Sequence, residues 1–172
     1  MKKTLLAVVL VFFAASSAYA LGTDKFKEEV DKEAVAVKLT REVVKGGYQV
    51  ITTEELQGVL KAGEKVVLID TMPYEDSYKK GHIPTAKQFL FPIPDMNEWD
   101  AKETDGKSQE DYQKLLGPDK DKKIIVYCGF VKCTRSHNGA VWAEKLGYKN
   151  VYRYPGGIFA WRGAEYEVAT GE

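Results

Sequence analysis

Apolar residues in this chain form short continuous runs separated by amphipathic stretches. Runs of that kind predict strands buried on both faces. Val66-Val67-Leu68-Ile69, Ile124-Ile125-Val126-Tyr127 and Val151-Tyr152-Arg153-Tyr154 are the clearest, and Tyr48-Gln49-Val50-Ile51 and Lys87-Gln88-Phe89-Leu90 add two shorter candidates. Helical spacing falls between them. Residues 24–45 carry Phe26, Val30, Ala34, Val37 and Val44 among Lys and Glu, with Gly46-Gly47 as a stop. Residues 52–62 form a second helix, capped by Thr52 or Thr53, with Glu54 and Glu55 in its first turn and Gly63 behind it. Pro73 opens a short helix over 74–80. Ser108 with Asp111 starts another, which Gly117-Pro118 ends. A helix over 136–146 closes at Gly147, and a short one bearing Trp161 follows Pro155-Gly156-Gly157. Residues 92–107, rich in Pro, Asp, Glu and Lys, read as an irregular insertion. Strands alternating with helices predict an α/β fold: a central, mostly parallel five-stranded sheet flanked by helices on both faces. Ligands of such folds bind beyond the carboxyl ends of the strands, where Asp70 and Cys128 each follow a run.

The first residues follow a different pattern. Lys2-Lys3, an apolar run over 5–15 and Ala18-Tyr19-Ala20 predict a cleavable export signal, with Leu21 opening the mature chain. The expected organisation is a signal over 1–20, a charged helix and linker over 21–47, an α/β domain over 48–166 and a tail over 167–172. The expected destination is periplasmic or secreted. The apolar run is too short for a stable span, so no membrane insertion is expected after cleavage. Lys+Arg and Asp+Glu are both 25 among 172 residues, so bulk charge gives no argument for nucleic acid.

Export sharpens the reading of the two cysteines, Cys128 and Cys133, which share one loop. A disulfide between them would close too short a loop to stabilise the chain much, so reactivity explains the pair better. Cys128 ends a strand and faces the start of a helix, where amide N–H groups and the helix dipole favour a thiolate. The expected anion cradle is Gly129, Phe130, Val131, Lys132, Thr134 and Ser136, with Lys132 and Arg135 adding positive charge. Arg135 reads equally as a substrate ligand or a solvated side chain. Cys133 reads as a resolving thiol, a reversible protector of Cys128, or a space-filler. Asp70 and His137 are candidate supporting residues, Asp70 reading chiefly as structural and His137 chiefly as exposed and idle. His82, in a Gly-His-Ile-Pro turn, reads as structural. Cys128, Cys133 and His137 lack an evident fourth ligand, so neither a metal nor a cofactor is expected.

The ordered set Leu68-Ile69-Asp70, Gly81-His82-Ile83-Pro84 with Ala86, Val126-Tyr127-Cys128, Leu146-Gly147-Tyr148 with Val151-Tyr152, and Gly156-Gly157 with Ala160-Trp161 resembles the rhodanese-like sulfurtransferases. The likeness runs over residues 50–161. It implies the rhodanese-like fold and a persulfide on Cys128, formed from a small sulfur-containing anion such as thiosulfate or polysulfide. A thiol or cyanide acceptor, or a protein acceptor, then takes the outer sulfur. Two departures stand out. Met72 occupies a place where the family often has arginine. Six residues separate Cys128 from Arg135, two more than is usual, and the extra length holds Cys133. Two rivals stay open. One is a cysteine-based phosphatase or arsenate-reductase-like enzyme, and the other is a non-catalytic sulfur carrier or thiol redox module built on the same pair.

Overall fold

The computed structural model describes residues 4–171, with side chains from residue 24 onward. The side chains of the expected signal over 1–20 therefore lie outside the described residues. The chain divides into two compact units, Met1–Thr40 and Arg41–Glu172. The first belongs to helix α1 (Thr4–Gly46), whose Phe26, Val30 and Val37 are exposed. Among the described residues no helix is long and apolar enough to cross a membrane.

The second unit holds the sheet. Its strands are β1 (Gln49–Val50), β2 (Val67–Asp70), β3 (Lys87–Gln88), β4 (Ile124–Tyr127) and β5 (Val151–Tyr154), in the spatial order β1-β5-β4-β2-β3. Every pairing is parallel. Alternate residues of the three central strands face opposite ways. Val67, Ile69, Ile124, Val126 and Val151 pack with α3 (Gln109–Leu116) and α4 (Arg135–Lys145). Leu68, Ile125, Tyr127 and Tyr154 pack with α2 (Thr53–Lys61) and α5 (Gly157–Gly163). Leu56 of α2 and Leu116 of α3 are sealed in these two layers, each worth ~2 kcal/mol in transfer from water. Both α2 and α3 open on full capping boxes, Thr52 with Glu55 and Ser108 with Asp111.

Three expected elements differ. The helix over 74–80 is a turn followed by one 3-10 turn, Tyr78–Lys80, because the Pro73 carbonyl accepts from both Ser77 and Tyr78. The strand at 66–69 is shifted by one residue and ends on Asp70. The strand over 87–90 keeps regular pairing only at Lys87–Gln88. Phe89 and Phe91 still donate to Asp70 and Thr71 carbonyls, and both rings enter one core layer, as alternating strand positions do.

Candidate active site

β4 carries Cys128 to the carboxyl edge of the sheet, where Asp70, Tyr127 and Tyr154 stand in register on three adjacent strands. The loop after Cys128 doubles back, with Cys133 N–H donating to Phe130 O at 2.9 Å, before α4 starts at Arg135. The start of α5 clamps the loop from the other side. Ile158 N–H donates to Cys128 O and Phe159 N–H to Gly129 O, each at 3.0 Å. Gly157 permits this approach: its φ is +60°, and a Cβ there would lie 2.3 Å from Cys128 O.

The two thiols are free and unlike each other. Cys128 is 0% exposed. Its Sγ lies 3.3 Å from Cys133 O and 3.2 Å from Ser136 Oγ. Carbonyls around a sulfur favour S–H over thiolate. Burial pushes the Cys128 thiol well above its ordinary range, reinforced by Cys133 and opposed by the Ser136 hydroxyl and amide. Cys133 is only half-buried. The neighbouring Cys128 thiol and the N–H groups of Arg135 and Gly129 favour its charged form. Cys128 is the largest influence. With those amides and the Arg135 charge it outweighs burial and draws Cys133 down to about 6.

This corrects the expectation from sequence. A reachable sulfur was expected at Cys128, but Cys128 is buried and Cys133 is the more exposed of the two. The longer loop folds back so that the Cys133 carbonyl faces the Cys128 sulfur.

A buried cation holds this arrangement. Arg153 of β5, itself 0% exposed, donates from Nε to Ser136 Oγ at 2.9 Å. Its Nη2 donates to Cys133 O at 2.9 Å and Val131 O at 3.5 Å. Its Nη1 donates to Tyr48 OH at 3.3 Å and to Glu42 Oε2 at 2.5 Å. One guanidinium thus grips two loop carbonyls and the hydroxyl that touches Cys128. Glu42, near the end of α1, supplies the opposite charge.

The Rhodanese-like domain family model matches residues 52–164. The chain belongs to the rhodanese-like domain family. It is 39% identical over 95 residues to the "Sulfur carrier protein TtuD" of Thermus thermophilus, covering 52% of this chain and 30% of that protein. It is 44% identical over 45 residues to the tRNA uridine(34) hydroxylase of Erwinia tasmaniensis, covering 26% of this chain and 12% of that protein. The chain therefore spans under a third of the length of these curated relatives. Among solved structures, the thiosulfate sulfurtransferase of Pseudomonas aeruginosa superposes with a TM-score of 0.57 at 22% identity, covering 78% of this chain and 23% of that one. That likeness concerns the fold alone.

In this rhodanese-like chain the remaining site candidates fall as follows. Gly129 is buried against Met72, while Phe130 is 45% exposed and packs on Phe159, 63% exposed, with ring centroids 5.4 Å apart. Lys132 is exposed and Thr134 buried without capping α4. Arg135 is half-buried, and its guanidinium donates to Phe91 O. His137 is buried rather than exposed; its Nδ1 pairs with Tyr48 OH at 2.8 Å, and burial lowers its pKa. His82 stacks on Tyr78 and bonds Tyr78 O, a structural role. Asp70 lies sealed beside the site. Oδ1 accepts from Met72 N–H, Oδ2 has no hydrogen-bond partner, and burial raises the carboxyl to about 6. A cleft of about 620 Å³ lined by Gln57, Lys61, Pro84 and Trp161 lies near Val66 and Lys122, at the amino ends of β2 and β4. The thiols occupy the opposite edge of the sheet.

Sequence reasoning missed Arg153, Glu42 and Tyr48. Arg153 did leave a signal: a cation in a run otherwise fit for burial demands a partner. Glu42 left none, since 111 residues separate it from Arg153.

Proposed function

We propose that the chain is a sulfurtransferase that moves sulfane sulfur from thiosulfate or a polysulfide to a thiol or cyanide acceptor through a persulfide on Cys133. The observation that carries this is that Cys133 is only half-buried while Cys128 is sealed, with the Cys128 thiol and the N–H groups of Arg135 and Gly129 favouring a charged Cys133. A thiol drawn down to about 6 is largely thiolate at neutral pH, which is the nucleophilic form. The same N–H groups would stabilise the negative outer sulfur of a persulfide. Arg135 adds charge that favours an anionic donor. Membership of the family and a relative named as a sulfur carrier support sulfur handling. The basic, apolar and Ala18-Tyr19-Ala20 signals near the start favour work outside the cytoplasm.

Intact-mass measurement after incubation with thiosulfate tests the reading. Cys128→Ser gains one sulfur atom and Cys133→Ser gains none. Sulfur uptake by Cys133→Ser and none by Cys128→Ser would return the carrier role to Cys128. Hydrolysis of an aryl phosphate without any sulfur uptake would favour the phosphatase rival.

A further inference from the structure

We propose that Cys128 resolves the Cys133 persulfide, so that this site reduces sulfane sulfur to sulfide and closes a Cys128–Cys133 disulfide. The proposal rests on the sulfurtransferase reading and adds the fate of the sulfur. Three observations carry it. Both thiols are free, and Cys128 Sγ lies 3.3 Å from the carbonyl oxygen of Cys133, so the two cysteines are in direct contact. Cys128 is sealed from solvent, so a donor in solution reaches Cys133 first. Its sulfur faces Cys133 O and, at 3.9 Å, Phe130 O, carbonyls that keep its proton in place for a leaving group.

The steps balance. Cys133 thiolate attacks the outer sulfur of thiosulfate, the sulfur–sulfur bond of the donor breaks, and sulfite leaves with the electron pair. Cys133 then carries a persulfide anion. The Cys128 sulfur attacks Cys133 Sγ, the bond to the outer sulfur breaks, and that sulfur leaves with the electron pair and the Cys128 proton as HS⁻. Both cysteine sulfurs are oxidised, and the sulfane sulfur is reduced by the same two electrons. A dithiol reductant returns the pair to thiols by exchange and completes the cycle.

Single turnover of the reduced full chain with equimolar thiosulfate, without added thiol, tests this. Wild type should release about one equivalent of sulfide and lose both titratable thiols. Cys128→Ser should hold the added sulfur and release under about a tenth as much until dithiothreitol is supplied. Cys128→Ala gives the same comparison if serine perturbs the buried position, with circular dichroism confirming the fold of each variant. Stable sulfur loading of wild type with both thiols otherwise intact and no sulfide would overturn the resolving role and leave the sulfurtransferase reading standing. Sulfide release by Cys128→Ala at the wild-type yield would do the same. If no protein takes up sulfur, the parent reading fails and takes this inference with it.

Discussion

Replacing Glu42 by alanine strips the counter-charge from a guanidinium that water does not reach. Arg153 is 0% exposed and Glu42 12% exposed, and they meet at 2.5 Å. Breaking a buried pair from one side costs about 3–5 kcal/mol, because the remaining charge keeps its desolvation penalty. Water can approach the Glu42 side, so the low end, ~3 kcal/mol, applies here. For a unit of this size ~3 °C of Tm accompanies each kcal/mol, giving a fall of ~9 °C. Thermal unfolding by circular dichroism measures it directly. Glu42→Gln keeps an acceptor but not the charge and should fall between alanine and wild type.

A double-mutant cycle separates this pair from ordinary packing. Arg153→Met alone removes the cation together with its grip on Cys133 O, Val131 O and Ser136 Oγ. Once the cation is gone, Glu42→Ala should cost far less, leaving a coupling of ~2 kcal/mol. A chain beginning at Gly47 should lose at least as much stability as Glu42→Ala, although the family match begins only at residue 52. A Glu42→Ala Tm within about 1 °C of wild type, or a strictly additive cycle, would refute the reasoning and mark the pair as screened.

Three further outcomes are expected. Alkylation of Cys133 by iodoacetamide should rise with pH through about 6 and level off above it, and Cys128→Ala, by removing the largest cause of that low value, should move the midpoint upward. Asp70 has a folded-state pKa of about 6 against an ordinary 3.8, so its contribution to stability is fully present below the ordinary value and is lost as pH rises through about 6. The gap is worth ~3 kcal/mol, and Asp70→Asn should flatten the dependence of Tm on pH between those limits. Gly157→Ala forces a Cβ to within 2.3 Å of Cys128 O at a positive φ, so it should destabilise the fold by more than ~1 kcal/mol and slow Cys133 alkylation by loosening the loop.

The sheet and its helices were legible because their signals are local. Runs such as Ile124-Ile125-Val126-Tyr127 need only their own residues to declare burial, and Thr52 with Glu55 or Ser108 with Asp111 declare a helix start within one turn. The position of the reactive loop was legible for the same reason. Which sulfur it activates was not. Two cysteines five positions apart carry no sequence mark of which one the loop amides face. That depends on how α5 clamps Cys128 O and Gly129 O and how Arg153 draws in Cys133 O. Those contacts come from residues far along the chain, and the counter-charge that permits a buried Arg153 comes from before the family match.

The opposite displacements of the two thiols follow from one geometry. Burial chiefly holds the proton on Cys128, and the neighbouring Cys128 thiol is the largest influence drawing Cys133 down. When environments push two titratable groups apart, the pair acquires an acid and a base. In the proposed cycle Cys133 attacks the donor and Cys128 delivers the proton. Arg153 touches both halves, through Cys133 O on one side and Ser136 Oγ, which contacts Cys128 Sγ, on the other. Stability and thiol reactivity are therefore coupled at one buried residue. A Glu42 variant that lost stability yet kept the Cys133 alkylation midpoint unchanged would show that the guanidinium supports the fold without setting the sulfur chemistry.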